Sequence, residues 1–93
     1  MNLLRNENDF DSIFLKPRYL QEVGAIDMSV ELFGKKYSAP FGISPIGLQG
    51  LMWPNAPEIL ARSAAAQDVP YILSTVSTAS IERIAKVSEG KAW

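Results

Sequence analysis

Hydrophobic and polar positions follow two different regimes along this chain. From Phe41 onward, short apolar runs alternate with stretches in which apolar or small residues recur every three or four positions. Phe41-Gly42-Ile43-Ser44 lies between Pro40 and Pro45, and Val69-Pro70-Tyr71-Ile72-Leu73 repeats that character about 27 residues later. Short apolar runs punctuated by proline read as buried strands. Between them Ile59, Leu60, Ser63, Ala64 and Gln67 fall at helical spacing, and Leu60, Ala61, Ala64 and Ala65 make a face small enough to lie close to a sheet. The start is predicted near Pro54-Asn55, with Asn55 as cap, Pro57 in the first turn and Glu58 completing a capping box. After the second strand, Ser77 to Ser80 offers caps for a second helix. There Ile81, Ile84, Ala85 and Ser88 share one face, Glu82 and Lys86 complement the dipole, and Gly90 closes it. Ala92-Trp93 reads as the approach to a third strand.

Residues 1–37 behave differently. They are charge-rich and irregular, with an apolar cluster of Phe10, Ile13, Phe14 and Leu15 broken by Lys16-Pro17-Arg18. Val30, Leu32 and Tyr37 flank Phe33-Gly34-Lys35, a hairpin signal. The chain therefore divides into a hairpin-bearing segment, 1–37, and two strand-helix units, 38–93.

Repeated strand-then-helix units imply parallel strands with helical crossovers, and in such α/β folds chemistry gathers at the strands' C-terminal ends. Pro45, Ile46 and Gly47 stand at the first of those ends and Ser74 at the second. The loop Ile46 to Trp53 carries two glycines and offers Leu48, Leu51, Met52 and Trp53 outward. Two parallel strands alone would leave unpaired edges, so the sequence reads as part of something larger.

Composition narrows the chemistry. The 93 residues carry nine Lys plus Arg against ten Asp plus Glu, a net charge of −1, which gives no general attraction to nucleic acid or anionic lipid. With no Cys and no His, disulfides, thiolate metal sites, cysteine nucleophiles and a histidine base are absent from these residues. No pair of acidic residues has metal-ligand spacing; Asp27, Asp68 and Glu82 read as solvated, capping or turn residues. Arg18 and Arg62 read as structural charges, Arg18 as an ion-pair member. Neither a secretory signal nor a membrane-spanning run of about 18 apolar residues is present, so the expectation is a soluble, cytoplasmic chain.

The ordered set Asn8-Asp9-Phe10, Leu15-Lys16-Pro17-Arg18-Tyr19-Leu20, Asp27, Leu32-Phe33-Gly34, Ala39-Pro40, Ser44-Pro45-Ile46-Gly47, Ala61-Arg62, Leu73-Ser74-Thr75 and Ser80-Ile81-Glu82 resembles the FMN-dependent alpha-hydroxy-acid dehydrogenases and oxidases. Each motif is short, but together they run in order through nearly the whole chain. The resemblance implies the N-terminal part of a TIM (β/α)8 barrel, with residues 1–37 preceding it and helping to close its bottom. It implies FMN as cofactor, a small 2-hydroxy acid as substrate of the full-length enzyme, and a homo-oligomer as one possible assembly.

Carried over by position, the resemblance makes Pro45, Ile46 and Gly47 a backbone contact to the flavin and Ser74 a second contact. It assigns no catalytic residue here: the family's acid-base and substrate-binding residues correspond to no position of this chain. Two departures stand out. Asp68 replaces a usual glycine, and Ile46 replaces a frequent threonine, which removes a side-chain hydrogen bond but no backbone one. Gly47 and Val76 are small where the substrate is expected, leaving room for a bulky side chain. Two rival readings are a non-catalytic, self-associating module and a different phosphate-binding TIM barrel.

Overall fold

Parallel pairing between the two apolar runs occurs, but over a shorter length than their sequence suggests. The computed structural model describes residues 2–93. Ile43 bridges Tyr71 in parallel: the Ile43 N–H donates to the Pro70 carbonyl at 2.8 Å, and the Ile72 N–H donates to the Ile43 carbonyl at 3.0 Å. Beyond this bridge Pro45 has no N–H to extend the ladder. The expected strand therefore contracts to one residue pair. Trp93 adds a third parallel segment, its N–H donating to the Tyr71 carbonyl (2.9 Å) while its own carbonyl accepts from Leu73 (2.8 Å). The order across the sheet is Ile43, Tyr71, Trp93.

The hairpin forms as expected. Strands β1 (Val30–Leu32) and β2 (Lys35–Tyr37) pair antiparallel, Val30 opposite Tyr37 and Leu32 opposite Lys35. Phe33 and Gly34 both take positive φ (51° and 74°), as a two-residue turn of this hand requires. Left-handed backbone costs a residue such as Phe33 about 1–2 kcal/mol. An edge-to-face contact with Trp93, ring centroids 5.1 Å apart, offsets this by about 1 kcal/mol. The Trp93 indole N–H also donates to the Tyr37 hydroxyl at 3.0 Å. The hairpin thus docks at the N-terminal end of the parallel segments, where Ser38 bonds the carbonyls of Gln67 and Asp68.

Upstream, residues that looked irregular contain helix α1 (Asn2–Asn8) and a 3-10 turn over Asp9–Ser12. Both are short, and Leu3 and Leu4 of the helix and Phe10 of the turn are all exposed. The following arm is extended and exposed; Phe14 and Leu15 are 83% and 97% accessible. Arg18 lies on this exposed arm, and among the described residues it makes no ion pair. The radius of gyration, 17.2 Å, exceeds the roughly 12 Å of a compact domain of this length because the arm is extended.

Helix α2 (Gln49–Met52) was not foreseen; helix α3 (Ala56–Ala66) and helix α4 (Ile81–Val87) match the two expected helices. The start of α3 corrects the sequence reading. Asn55 adopts φ 57°, ψ 23°, and its side chain makes no capping bond. A side-chain cap needs an extended N-cap backbone, so Asn55 serves as a left-handed turn residue instead. Glu58, released from any capping box, is buried and pairs with the Arg83 guanidinium of α4. Helix α4 does have a side-chain cap: Ser80 Oγ accepts from the Arg83 N–H at 3.3 Å, a bond type contributing about 1 kcal/mol.

Both helices end in the same manner. Val69 N–H reaches the Ala64 carbonyl and Asp68 N–H the Ala65 carbonyl, with Asp68 at φ 53° in the seat glycine usually takes. Gly90 N–H likewise reaches the Ala85 carbonyl, with Glu89 at φ 55° in that seat and Gly90 one place later. Lys91 ties the two ends together through Asp68 (3.7 Å) and the Ala65 carbonyl (3.3 Å). The core between sheet and helices comprises Ala61, Ala64, Tyr71 and Ile84, flanked by Ile43, Leu60, Val69, Leu73 and Val87. The small face of α3 is what admits the Tyr71 ring. Among the described residues no helix is long and apolar enough to cross a membrane.

Candidate functional site

Two loops leave the C-terminal ends of the Ile43 and Tyr71 segments and lock together. Leu48 N–H donates to the Val76 carbonyl at 3.0 Å. Ser74 Oγ accepts from Val76 N–H at 3.3 Å, and the Ser74 carbonyl accepts from Ser77 N–H at 3.0 Å. The absence of a side chain at Gly47 permits this closeness: a Cβ there would lie 2.7 Å from Val76 Cγ2 and 3.8 Å from Ser74 Oγ. Gly47 and Ser74 therefore lie side by side on one rim, with Pro45 and Ile46 leading into it.

Side-chain alternation orients that rim. Tyr71 and Leu73 pack on the helix side of the sheet, so Ile72 and Ser74 project to the opposite face. Pro45 has no N–H. Among the described residues the N–H groups of Ile46 and Gly47 donate to no acceptor, and both residues are exposed. Two free amide donors, a hydroxyl and a glycine surface make a donor edge that main chain can bring close to a planar ligand. Such an edge suits hydrogen-bond acceptors on the rim of a planar ring.

Leu48 turns the chain sharply at φ 52° and leads into α2. The turn buries Gln49 to 5% exposure, and Gln49 Nε2 donates back to the Ile46 carbonyl at 3.0 Å. Sequence reasoning missed Gln49, because one amide between Leu48 and Leu51 reads as solvent-facing. Met52 and Trp53 are 86% and 67% accessible. A cavity of about 430 Å³ runs from Ser74 past Ser77, Ile81 and Ile84 to Trp93. It shares Ser74 with the rim and does not include Pro45, Ile46 or Gly47, so the rim itself is open surface. Arg62 is an exposed residue of α3, and among the described residues no cluster of acidic, His or Cys side chains is placed to hold a metal.

Asp27 and Glu82 behave as turn and cap groups. Asp27 accepts from Ser29 N–H at 2.9 Å, which lowers its carboxyl below the usual range; the backbone N–H of Glu82 and the Ser80 hydroxyl do the same for Glu82. Tyr71 moves the other way. Burial raises its phenol above the ordinary 10.0, the Glu58 charge adds to this, and the neighbouring Gln49 amide opposes it. Folding therefore favours the neutral phenol. Its contribution to stability is complete below about pH 10 and is lost as pH rises through the higher folded value. Urea midpoints are expected to fall above about pH 10, and Tyr71→Phe is expected to flatten that decline.

The family model for FMN-dependent dehydrogenases matches residues 1–93. An L-lactate dehydrogenase from Ectopseudomonas mendocina (strain ymp) is 40% identical over 91 residues, 98% of this chain and 24% of that protein. An (S)-mandelate dehydrogenase from Pseudomonas putida is 38% identical over 88 residues, 95% of this chain and 22% of that protein. Among solved structures, a mandelate oxidase aligns with TM-score 0.87 and 31% identity over 98% of this chain and 26% of its own. A variant of an active chimera of (S)-mandelate dehydrogenase aligns with TM-score 0.88 and 35% identity, also over 98% of this chain and 26% of its own. These neighbours are TIM-barrel enzymes. The chain spans about a quarter of the length of the curated relatives it matches. With its whole length matched, the chain belongs to the FMN-dependent dehydrogenase family, whose cofactor is FMN.

Proposed function

We propose that this chain is the N-terminal part of an enzyme that oxidises an (S)-2-hydroxy acid to the 2-keto acid, and that it supplies part of the FMN cradle. Residues 38–93 are then the first two β/α units of a (β/α)8 barrel, and 1–37 the segment that precedes it. Docking of the hairpin at the N-terminal end of the parallel segments supports the second assignment. The observation that carries the reading is the rim, with the free Ile46 and Gly47 amides beside Ser74 at the C-terminal end of those segments.

FMN, when bound, would supply the acceptor for the hydride equivalent, its N5. This chain's own residues bind and orient. The Ile46 and Gly47 amides present donors to the ring edge, Ser74 adds a hydroxyl, and Pro45 stiffens the approach. Val76 fills the space beside Gly47, and its own short, exposed side chain leaves room on the substrate side, which favours 2-hydroxy acids with bulky side chains. Belonging to the FMN-dependent dehydrogenases removes the reading as a different phosphate-binding barrel.

Anaerobic mixing of the full-length flavoprotein with 2-hydroxy acids tests the proposal. (S)-Mandelate is expected to bleach the flavin absorbance and yield the keto acid. A protein that binds no FMN, or a flavin that no 2-hydroxy acid reduces, would sink it. Glycolate reacting far faster than aromatic or branched acids would remove the bulky-substrate part alone.

A further inference from the structure

We infer that Gln49 is a positioning residue that fixes the direction in which the Gly47 amide points. The inference rests on the flavin-rim reading above and adds the device that holds the rim in its working orientation.

The argument begins with one peptide unit. The Ile46 carbonyl and the Gly47 N–H belong to the same planar group, and in a trans peptide they point in opposite directions. None of the peptide bonds described here is cis. Whatever holds the carbonyl therefore also aims the amide. Gln49 holds it, donating from Nε2 at 3.0 Å from the helix side of the loop. The Gly47 N–H then faces away from the helices, toward the open rim. Glycine at 47 resists a peptide flip less than other residues do, so a restraint at this point has a purpose.

Gln49 is suited to it. Only 5% exposed, it is fixed by the left-handed Leu48 and by α2, which begins at Gln49 itself. Its Oε1 and the Tyr71 hydroxyl are buried without a formed hydrogen bond, yet the amide lies near enough to the phenol to oppose its raised ionisation. The amide orientation is set by Nε2, whose acceptor is the Ile46 carbonyl. Tyr71 is also the ring on which α3 and α4 pack. The hold on the rim peptide thus comes from a buried side chain at the start of α2.

Residue-resolved amide exchange in the full-length protein, with and without FMN, tests the inference. In the unaltered protein FMN is expected to protect the Gly47 amide. Gln49→Met keeps the bulk and removes the donor; it is expected to cut that protection by about tenfold, the loss of one hydrogen bond. The Ile72 amide, bonded to the Ile43 carbonyl, is expected to exchange as before. Gln49→Asn, one methylene short of Ile46, provides the same test if the methionine variant does not fold. Full FMN protection of Gly47 in both variants, or equal loss at Gly47 and Ile72, overturns the positioning role. Absence of FMN protection at Gly47 in the unaltered protein instead overturns the flavin-rim reading on which the role rests.

Discussion

Gly42→Ala is expected to lower the unfolding free energy by about 3 kcal/mol, the upper range for forcing extra volume into a packed site. An added Cβ would lie 2.6 Å from the Pro70 carbonyl oxygen and 2.9 Å from Pro70 Cβ. Neither neighbour can rotate away, since one is backbone and the other belongs to a ring with fixed φ. Separation of the two segments is the remaining relief, and it stretches both hydrogen bonds around Ile43, each contributing about 1 kcal/mol. Gly24→Ala serves as the control: a Cβ there meets nothing within 4 Å, and its effect should stay within about 0.5 kcal/mol. Equal urea midpoints for the two variants would mean that the Ile43 and Pro70 backbones do not meet in this way.

Tyr71→Ala is expected to cost about 3–5 kcal/mol, as for other large aromatic truncations in a core. The ring is 1% exposed and touches the core residues of both α3 and α4. Small residues at Ala61 and Ala64 cannot swell to fill the vacated space, so the cavity persists and the helices lose their common anchor. The loss should appear as a lower urea midpoint and as faster amide exchange in α4 than in the hairpin.

The features most legible in the sequence are those whose physics is local. Phe33-Gly34-Lys35 marks the hairpin because its glycine suits a turn at positive φ, and the hairpin is there, with Lys35 already in β2 and only Phe33 and Gly34 in the turn. The Ser80 cap, the small face of α3 and the left-handed turn at Asp68 likewise depend on residues a few positions apart. Asn55 misled because its residue type suits two roles, N-cap and left-handed turn, and the choice depends on how the chain leaves Trp53. Helix α1 lacks a buried face, so no periodicity marks it. For the site, Pro45, Ile46, Gly47 and Ser74 were placed by the rule that parallel strands carry chemistry at their ends, together with the family resemblance. Gln49 was invisible: its burial follows from the Leu48 turn, which no residue type in the loop signals.

The contact between Trp93 and the hairpin has a consequence for the order of events at the ribosome. Tyr37 and the indole it bonds are 56 positions apart. At the usual synthesis rate of about 5–20 residues per second, the hairpin waits roughly 3–11 s for its docking partner. During that interval the aromatic side of β2 stays available to chaperones, and the nascent chain registers the arrival of a third parallel segment by closing its opposite end.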